Sequence, residues 1–291
     1  MYGAKVINRY PIFIPTKGRW ESRHTARELD KRGIFYTEVV EPQEQLAYKA
    51  SNTGVHDLLV LPFSDRGLTA TRNWIWDHAE SLGLERFWTM DDNIQGFYRL
   101  WRNTKFPFGD GTFLCCMEDF VDRYENIVIG GMQYEFFTPR RGVFPPLRFN
   151  ARVYSNMLIQ TNALDSSGKP YRNFGLNDDT DLNLRILKDG HCTVLFNAFL
   201  ANKIATMRVK GGMTTEYQPG ESGEKEDDGR WVMAEALRKR HPDVTTIVRK
   251  WGRWQHQVDY APFKNNKLIP SPGVNIPQGV DNYGMELRRR I

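Results

Sequence analysis

The adjacent carboxylates Asp91 and Asp92, followed by the amide of Asn93, carry the sharpest chemical signal in the chain. They come directly after Phe87–Met90, which reads as a short buried strand, so the acids stand where that strand ends. In an open α/β sheet, ligands bind beyond the carboxyl ends of the strands. Hard oxygens at that point suit Mg²⁺ or Mn²⁺ bridging a diphosphate, although paired acids also occur in ordinary turns. A second acidic group, Asp178, Asp179 and Asp181, opens a segment with helical spacing. Capping and the helix dipole favour acids there, yet three in four positions exceed what a cap requires. A carboxylate so placed can take the proton from an attacking hydroxyl.

Other candidates fall where a nucleotide-bearing ligand would need them. The first apolar run, Ile12–Ile14, leads into Pro15-Thr16-Lys17-Gly18-Arg19, a loop before a helix that can offer backbone N–H groups and a guanidinium to a nucleotide. The stretch Asp65–Asn73 holds Arg66 and Arg72, and Arg72 in a first helical turn can reach a base or a phosphate; a surface arginine is the plainer reading. Lys210-Gly211-Gly212 offers a cation and unhindered amides to a leaving diphosphate, or is a simple glycine turn. Glu41, after the second strand, can bind a nucleoside hydroxyl or merely end the strand. His256 can complete a metal shell, contact an acceptor, or pack as an ordinary histidine.

These residues require a scaffold that alternates strands and helices. Ile12–Ile14, Phe35–Val40, Leu58–Leu61 and Phe87–Met90 read as strands, with helices over 20–32 and Thr69–Leu82 between them. That rhythm predicts a Rossmann-like α/β fold, with a mixed, mostly parallel sheet flanked by helices. Beyond it, Ile127–Ile129, Met132–Phe137, Met157–Gln160, Thr193–Phe196 and Ile204–Val209 read as strands, and residues 179–189 as a helix. Residues 219–229 read as a polar acidic loop. Pro262 begins thirty residues with four prolines and three glycines, which predict an extended tail wrapped on the surface. We divide the chain into a catalytic domain over 1–218 and a C-terminal helical extension with a tail over 219–291.

The 291 residues carry 40 Lys and Arg against 35 Asp and Glu, a net charge of +5 that alone identifies no partner. Distribution is more telling. From Pro139 to Arg152 there are four arginines (Arg140, Arg141, Arg148, Arg152), no acid, and Phe144 and Phe149. From Arg230 to His256 there are seven Lys and Arg, including Arg249 and Arg253, two acids, and Trp231, Trp251 and Trp254. Cations for phosphates and flat rings for bases are what a nucleic-acid surface needs, while solvated faces with aromatic stems are the plainer account. No run reaches the roughly 20 apolar residues of a spanning helix, and no signal peptide is visible, so a soluble cytosolic protein without a membrane partner is expected. Cys115, Cys116 and Cys192 match neither a disulfide framework nor zinc spacing and are expected to be reduced, buried thiols.

The order strand, PTKGR, helix, GLTATRN, then MDDN at a strand end and NDDTDL opening a helix resembles the GT-A glycosyltransferases. Over roughly residues 9–215 it is similar, more narrowly, to the glycosyltransferases associated with TET/JBP-type base dioxygenases in phages, inferred to act on hydroxymethylated pyrimidines in DNA. This resemblance implies Asp92 as the metal ligand, with Asp91 on the donor ribose or metal, and Asn93 where many members have a third acid. It implies Asp179 as the base with Asp178 beside it, and Thr16, Arg19 and Arg72 as donor contacts. The expectation is then a Mg²⁺- or Mn²⁺-dependent transfer from a UDP-sugar to DNA carrying a hydroxymethylated base, in the host cytoplasm if the gene is a phage's. A carbohydrate or lipid-linked acceptor, a metal-dependent nuclease, and a DNA-binding protein without catalysis stay open.

Overall fold

The computed structural model describes residues 8–51, 56–138, 145–168, 177–204 and 228–275. Its first part alternates as expected: β1 (Ile12–Pro15), α1 (His24–Asp30), β2 (Thr37–Val40), α2 (Gln45–Ser51), β3 (Asp57–Val60), α3 (Gly67–Ser81) and β4 (Arg86–Thr89). Then come β5 (Ile94–Trp101), β6 (Thr104–Pro107), α4 (Thr112–Val121), β7 (Ile127–Tyr134), β8 (Leu147–Phe149), β9 (Met157–Gln160), α5 (Asp178–Lys188) and β10 (Cys192–Lys203). The last elements are α6 (Gly229–Arg240) and the strands β11 (Thr245–Lys250) and β12 (Arg253–Val258).

One mixed sheet runs β3-β2-β1-β4-β9-β7-β10-β5-β6, with β8 on β10. The β3-β2-β1-β4 block is parallel, as strand-helix-strand units require, and β7 pairs parallel with β10. Among the described strands of this sheet, β5, β8 and β9 run against the others. All four residues of β4 are buried, as is every residue of β7, which is why neither strand shows the apolar–polar alternation of a half-exposed strand. One core cluster gathers Ile12, Trp88, Leu114, Ile127 and Phe196 around α1 and α4. A second gathers Phe13, Ile75, Trp76, Ile129 and Leu182 around α3 and α5. The sheet therefore lies between two apolar layers.

Several boundaries differ from the sequence reading, each for a local reason. The helix expected over 20–32 begins only at His24, because Arg23 takes a left-handed conformation (φ 37) and sinks its guanidinium onto Glu38 at 2.6 Å. The runs at Ile127–Ile129 and Met132–Phe137 are one strand that ends at Tyr134, and Glu135–Phe137 is a 3₁₀ turn. Gly130 and Gly131, which seemed to divide it, are instead positions of close approach. A Cβ on Gly131 would meet the Asn156 carbonyl at 2.2 Å. The expected Thr193–Phe196 strand extends to Lys203. The strand expected at Ile204–Val209 lies outside the described residues except for Ile204, whose N–H donates to the Asn93 carbonyl at 3.0 Å. Of the polar loop 219–229, Asp228 caps α6 by accepting from Arg230 N at 2.8 Å, and Gly229 is already helical.

Cys192 is buried as expected, but Cys115 is half-buried and Cys116 exposed, since α4 turns Phe113, Leu114, Met117 and Val121 to the core. The tail after Pro262 lies in part along the body. Glu125 N donates to the Ile269 carbonyl and Ser271 N to the Arg123 carbonyl, at 3.0 and 2.8 Å. Among the described residues, no helix is long and apolar enough to cross a membrane.

Candidate active site

The acids at the end of β4 are pinned through their backbone before their side chains do anything. Thr25 of α1 donates its hydroxyl to the Asp91 carbonyl (2.5 Å) and accepts from Ile94 N (2.9 Å), while Asp91 N donates to Asn156 Oδ1 (3.3 Å). Their carboxylates then turn to different partners. Asp92 accepts from Thr16 Oγ1 at 2.8 Å and is ion-paired with Arg19. Thr16 is held in turn by the buried hydroxyl of Tyr48 at 2.7 Å, and Arg19 N donates to the same hydroxyl at 3.1 Å. The PTKGR loop thus closes directly over the strand end. Asp91 receives Lys203 Nζ on one oxygen (2.5 Å) and Arg72 Nη2 on the other (2.9 Å).

Arg72 joins the two acidic groups. Its other terminal nitrogen donates to Asp178 in the first turn of α5, so a single buried guanidinium spans carboxylates 87 positions apart in the chain. Asp178 accepts the backbone N–H of Asp179 at 2.8 Å, and Asp179 is paired with Arg152 at 2.8 Å. The third acid of the cluster, Asp181, faces away. It meets His241 at 2.9 Å and Arg185 and Arg240 at 3.0 Å, tying α5 to α6. Among the described residues, four carboxylates (91, 92, 178, 179) thus meet four cations (Arg19, Arg72, Arg152, Lys203), one positive charge for each negative one.

Burial and these partners set the proton affinities. Burial alone would raise Asp91, but the charges of Lys203 and Arg72 prevail and hold it below the usual range. Burial dominates at Asp92 and at Asp178, and both are raised despite Arg19 and Arg72. Burial opposes ionisation at Asp179 too, but Arg152 outweighs it and brings the pKa down to about 2.

A model of the TET-associated glycosyltransferase family matches residues 10–212. The chain belongs to that family. It is accordingly a glycosyltransferase, and its mixed, mostly parallel sheet flanked by helices is the Rossmann-like α/β architecture expected from the sequence. Among solved structures, residues 1–349 of S. aureus TarS share 10% identity at a TM-score of 0.41, over 90% of this chain and 99% of that one. A cytidylyltransferase from Leptospira borgpetersenii serovar Hardjo-bovis shares 9% at 0.30, over 55% and 62%. A mannose-1-phosphate geranyltransferase from Thermus thermophilus shares 11% at 0.30, over 64% and 57%. No curated protein matches the sequence.

The remaining candidates of this glycosyltransferase occupy varied places. Pro15 is buried at the end of β1. Glu41 accepts from Asp65 N (3.0 Å), Gln43 (2.6 Å) and Lys17 (2.8 Å), and so ties the end of β2 to the loop before α3. Arg66 is exposed and stacks over Phe63 at 5.2 Å. Lys210, Gly211, Gly212, Arg140 and Arg141 lie outside the described residues. Arg148 is exposed on β8, and Arg249 and Arg253 are exposed on the β11–β12 hairpin, where Arg249 lies 5.6 Å over Trp254. Sequence reading missed Lys203, Tyr48, Thr25 and Asn156. Each looks ordinary in sequence, and only the sheet order brings it to Asp91 or Thr16.

His256 sits on the Asp179 side, with Nε2 3.4 Å from Arg152 Nη1 and 3.5 Å from Thr180 Oγ1. Burial and the Arg152 charge depress its pKa to about 4, and Asp179 opposes them only in part. The folded ring therefore stays neutral where an unfolded histidine, near 6.5, gains a proton, so between those values the unfolded chain binds more protons and stability falls as pH falls. Between pH 7 and 5 this group should cost the wild type about 2 kcal/mol relative to His256→Gln. Urea unfolding of both proteins at the two pH values measures the difference; parallel losses would disprove the assignment.

Proposed function

We propose that this enzyme transfers a sugar from a UDP-sugar to the hydroxymethyl oxygen of a modified pyrimidine in DNA. The observation that carries the reading is the Arg72 bridge, which brings the strand-end acids and the first turn of α5 into one site. The family's association with base dioxygenases supports the acceptor. So do the exposed cations Arg148, Arg249 and Arg253, which suit a phosphate backbone.

The donor side suits a nucleoside diphosphate in a site where these four carboxylates are already matched by four cations. Thr16 and Arg19 lie over the strand end, and Arg19, Arg72 and Lys203 are cations within reach of a diphosphate that competes for them. A Mg²⁺ or Mn²⁺ ion fits the donor set in chemistry. Asp91 and Asp92 offer hard oxygens, and the buried Asn93 Oδ1 accepts no hydrogen bond from the described residues. Among the described residues no group of three His, Cys, Asp or Glu side chains forms a ready cage, so metal and diphosphate are expected to enter together, each balancing the other's charge. When bound, the ion neutralises charge on the departing diphosphate.

On the acceptor side, the hydroxymethyl oxygen forms a bond to the anomeric carbon as the bond to the diphosphate breaks, and the diphosphate leaves with the electron pair. The hydroxyl proton passes to Asp179, held ionised by Arg152. Although its basicity is low, the attacking oxygen becomes strongly acidic as its new bond forms, so a weak base in hydrogen-bond reach suffices. Extruding the base from a duplex costs a few kcal/mol, which cationic and aromatic contacts offset.

Mass spectrometry of nucleosides tests the reading after incubation with hydroxymethylated DNA, a panel of nucleotide sugars and Mn²⁺. A glycosylated hydroxymethylpyrimidine nucleoside is expected. Donor consumption with a carbohydrate acceptor and never with DNA would move the acceptor elsewhere, and degraded DNA without any donor would make the protein a nuclease.

A further inference from the structure

The β11–β12 hairpin is built so that its two ends do different things. In the register of the pair, Ile247 faces His256, Arg249 faces Trp254 and Lys250 faces Arg253, leaving Trp251 and Gly252 as a two-residue turn. Alternate pairs share a face. The face with His256 and Trp254 lies on the body: His256 reaches Arg152 and Thr180, and Trp254 meets Trp231 of α6 edge-on at 4.8 Å. The opposite face holds the exposed Thr246, Lys250, Arg253 and Gln257, with the half-buried Val248 and Gln255 between them. Trp251 at the tip is 87% exposed, the highest value among the exposed large apolar residues of the described chain.

Two features set the tip apart from an ordinary hairpin end. Both turn residues have left-handed backbone, φ 52 at Trp251 and φ 72 at Gly252, and the first position of such a turn favours Asn, Asp or Gly over a bulky side chain. The tip is also cationic. Thr245–Val258 contains no acid, Lys250 and Arg253 are directly opposed, and such like-charge pairs oppose pairing. Lys250 donates to Gln257 Oε1 at 2.8 Å, and Arg249 lies over Trp254. Among the described residues, none of these three cations has a carboxylate partner. A bare indole ringed by cations fits a partner that is flat and apolar inside and anionic outside.

We propose that this hairpin is a wedge for duplex DNA: Trp251 enters the base stack where the acceptor base has swung out, while Arg249, Lys250 and Arg253 meet the flanking phosphates. The inference rests on the DNA-acceptor reading and adds the device that opens the duplex. Its geometry links stack and cleft, because Trp251 lies five residues from His256, about 16 Å along a strand, and His256 touches the Arg152 that holds Asp179. Aromatic wedges of this kind hold unstacked steps open in other DNA-bending proteins.

The test uses the full chain and a short duplex carrying 2-aminopurine beside 5-hydroxymethylcytosine. Wild-type protein should bind it with an affinity that falls steeply with salt and should raise 2-aminopurine emission several-fold. Trp251→Asn suits the turn and should melt no lower than wild type, yet it should lose most of the emission rise and about ten-fold in duplex affinity. Arg253→Ala should keep the emission rise at saturation and reduce the salt slope by about 0.9. An emission rise unchanged in Trp251→Asn sinks the wedge alone. No duplex binding by the wild type at low salt sinks the DNA acceptor together with the wedge. Trp251-dependent binding to phosphatidylserine vesicles, without duplex binding, makes the tip a membrane contact and overturns the proposal.

Discussion

Asp179→Asn should lower sugar transfer by about 10²- to 10⁴-fold at saturating donor and acceptor, the range associated with losing a positioned general base. Donor binding should change little, because Asp179 contacts Arg152 and the backbone of Thr180, whereas Thr16, Arg19 and Asp91 belong to the strand-end side. With a pKa of about 2, Asp179 stays ionised throughout the working range and contributes no acidic limb to the rate profile. Its stabilisation is fully present above the unfolded carboxylate value near 4 and is lost as pH falls through the lowered folded value. Asp178, whose pKa is raised by burial, is the neighbour able to impose an acidic limb. Single-turnover transfer with each Asn variant separates the two residues. Near wild-type rates for Asp179→Asn, with the loss appearing in Asp178→Asn, would transfer the base role to Asp178.

Arg72→Met should cost about 3–5 kcal/mol of stability, the penalty for removing one partner from a buried ion pair. The side chain is 3% exposed and holds Asp91 and Asp178 at once, so its loss leaves two carboxylates short of a partner. Asp91 would keep Lys203, while Asp178 would keep no ion-pair partner among the described residues. Asp178→Asn in the Arg72→Met background should therefore recover more than about 1 kcal/mol, a non-additivity expected of groups in one network. Arg72→Lys should fall between wild type and Arg72→Met, because an ammonium retains the charge but lacks the planar fork that addresses two carboxylates. Urea unfolding of wild type, Arg72→Met, Asp178→Asn, the double variant and Arg72→Lys measures these differences. A loss below about 1 kcal/mol for Arg72→Met would show that the bridge is not what joins the two halves of the site.

Local pattern made much of this site legible. Phe87, Trp88 and Met90 are apolar because this strand is buried on both faces, and a buried strand must deliver whatever follows it to the edge of the sheet; Asp91 and Asp92 follow. The Asp178–Lys188 helix announced itself by acids in its first turn and apolar residues on one face. Where the pattern misled, glycine or a buried charge was responsible. Gly130 and Gly131 looked like a break yet lie within β7, where neighbouring side chains and backbone leave no room for a Cβ. Trp20–Arg23 looked helical, but Arg23 turns inward to Glu38 and delays α1.

The amino-acid order alone thus determined the alternation of strands and helices, the points where acids leave the sheet and the family, since each depends on neighbours a few residues apart. Tertiary structure alone decided which charges compensate which. Lys203 reaches Asp91 from 112 positions away, Arg72 chooses Asp178 over Asp181, and Tyr48 locks Thr16, because strand order and helix rotation set those distances. Ion pairs act over a few ångströms in space and carry no period along the chain, so the partner of a buried carboxylate is settled only when the chain has folded around it.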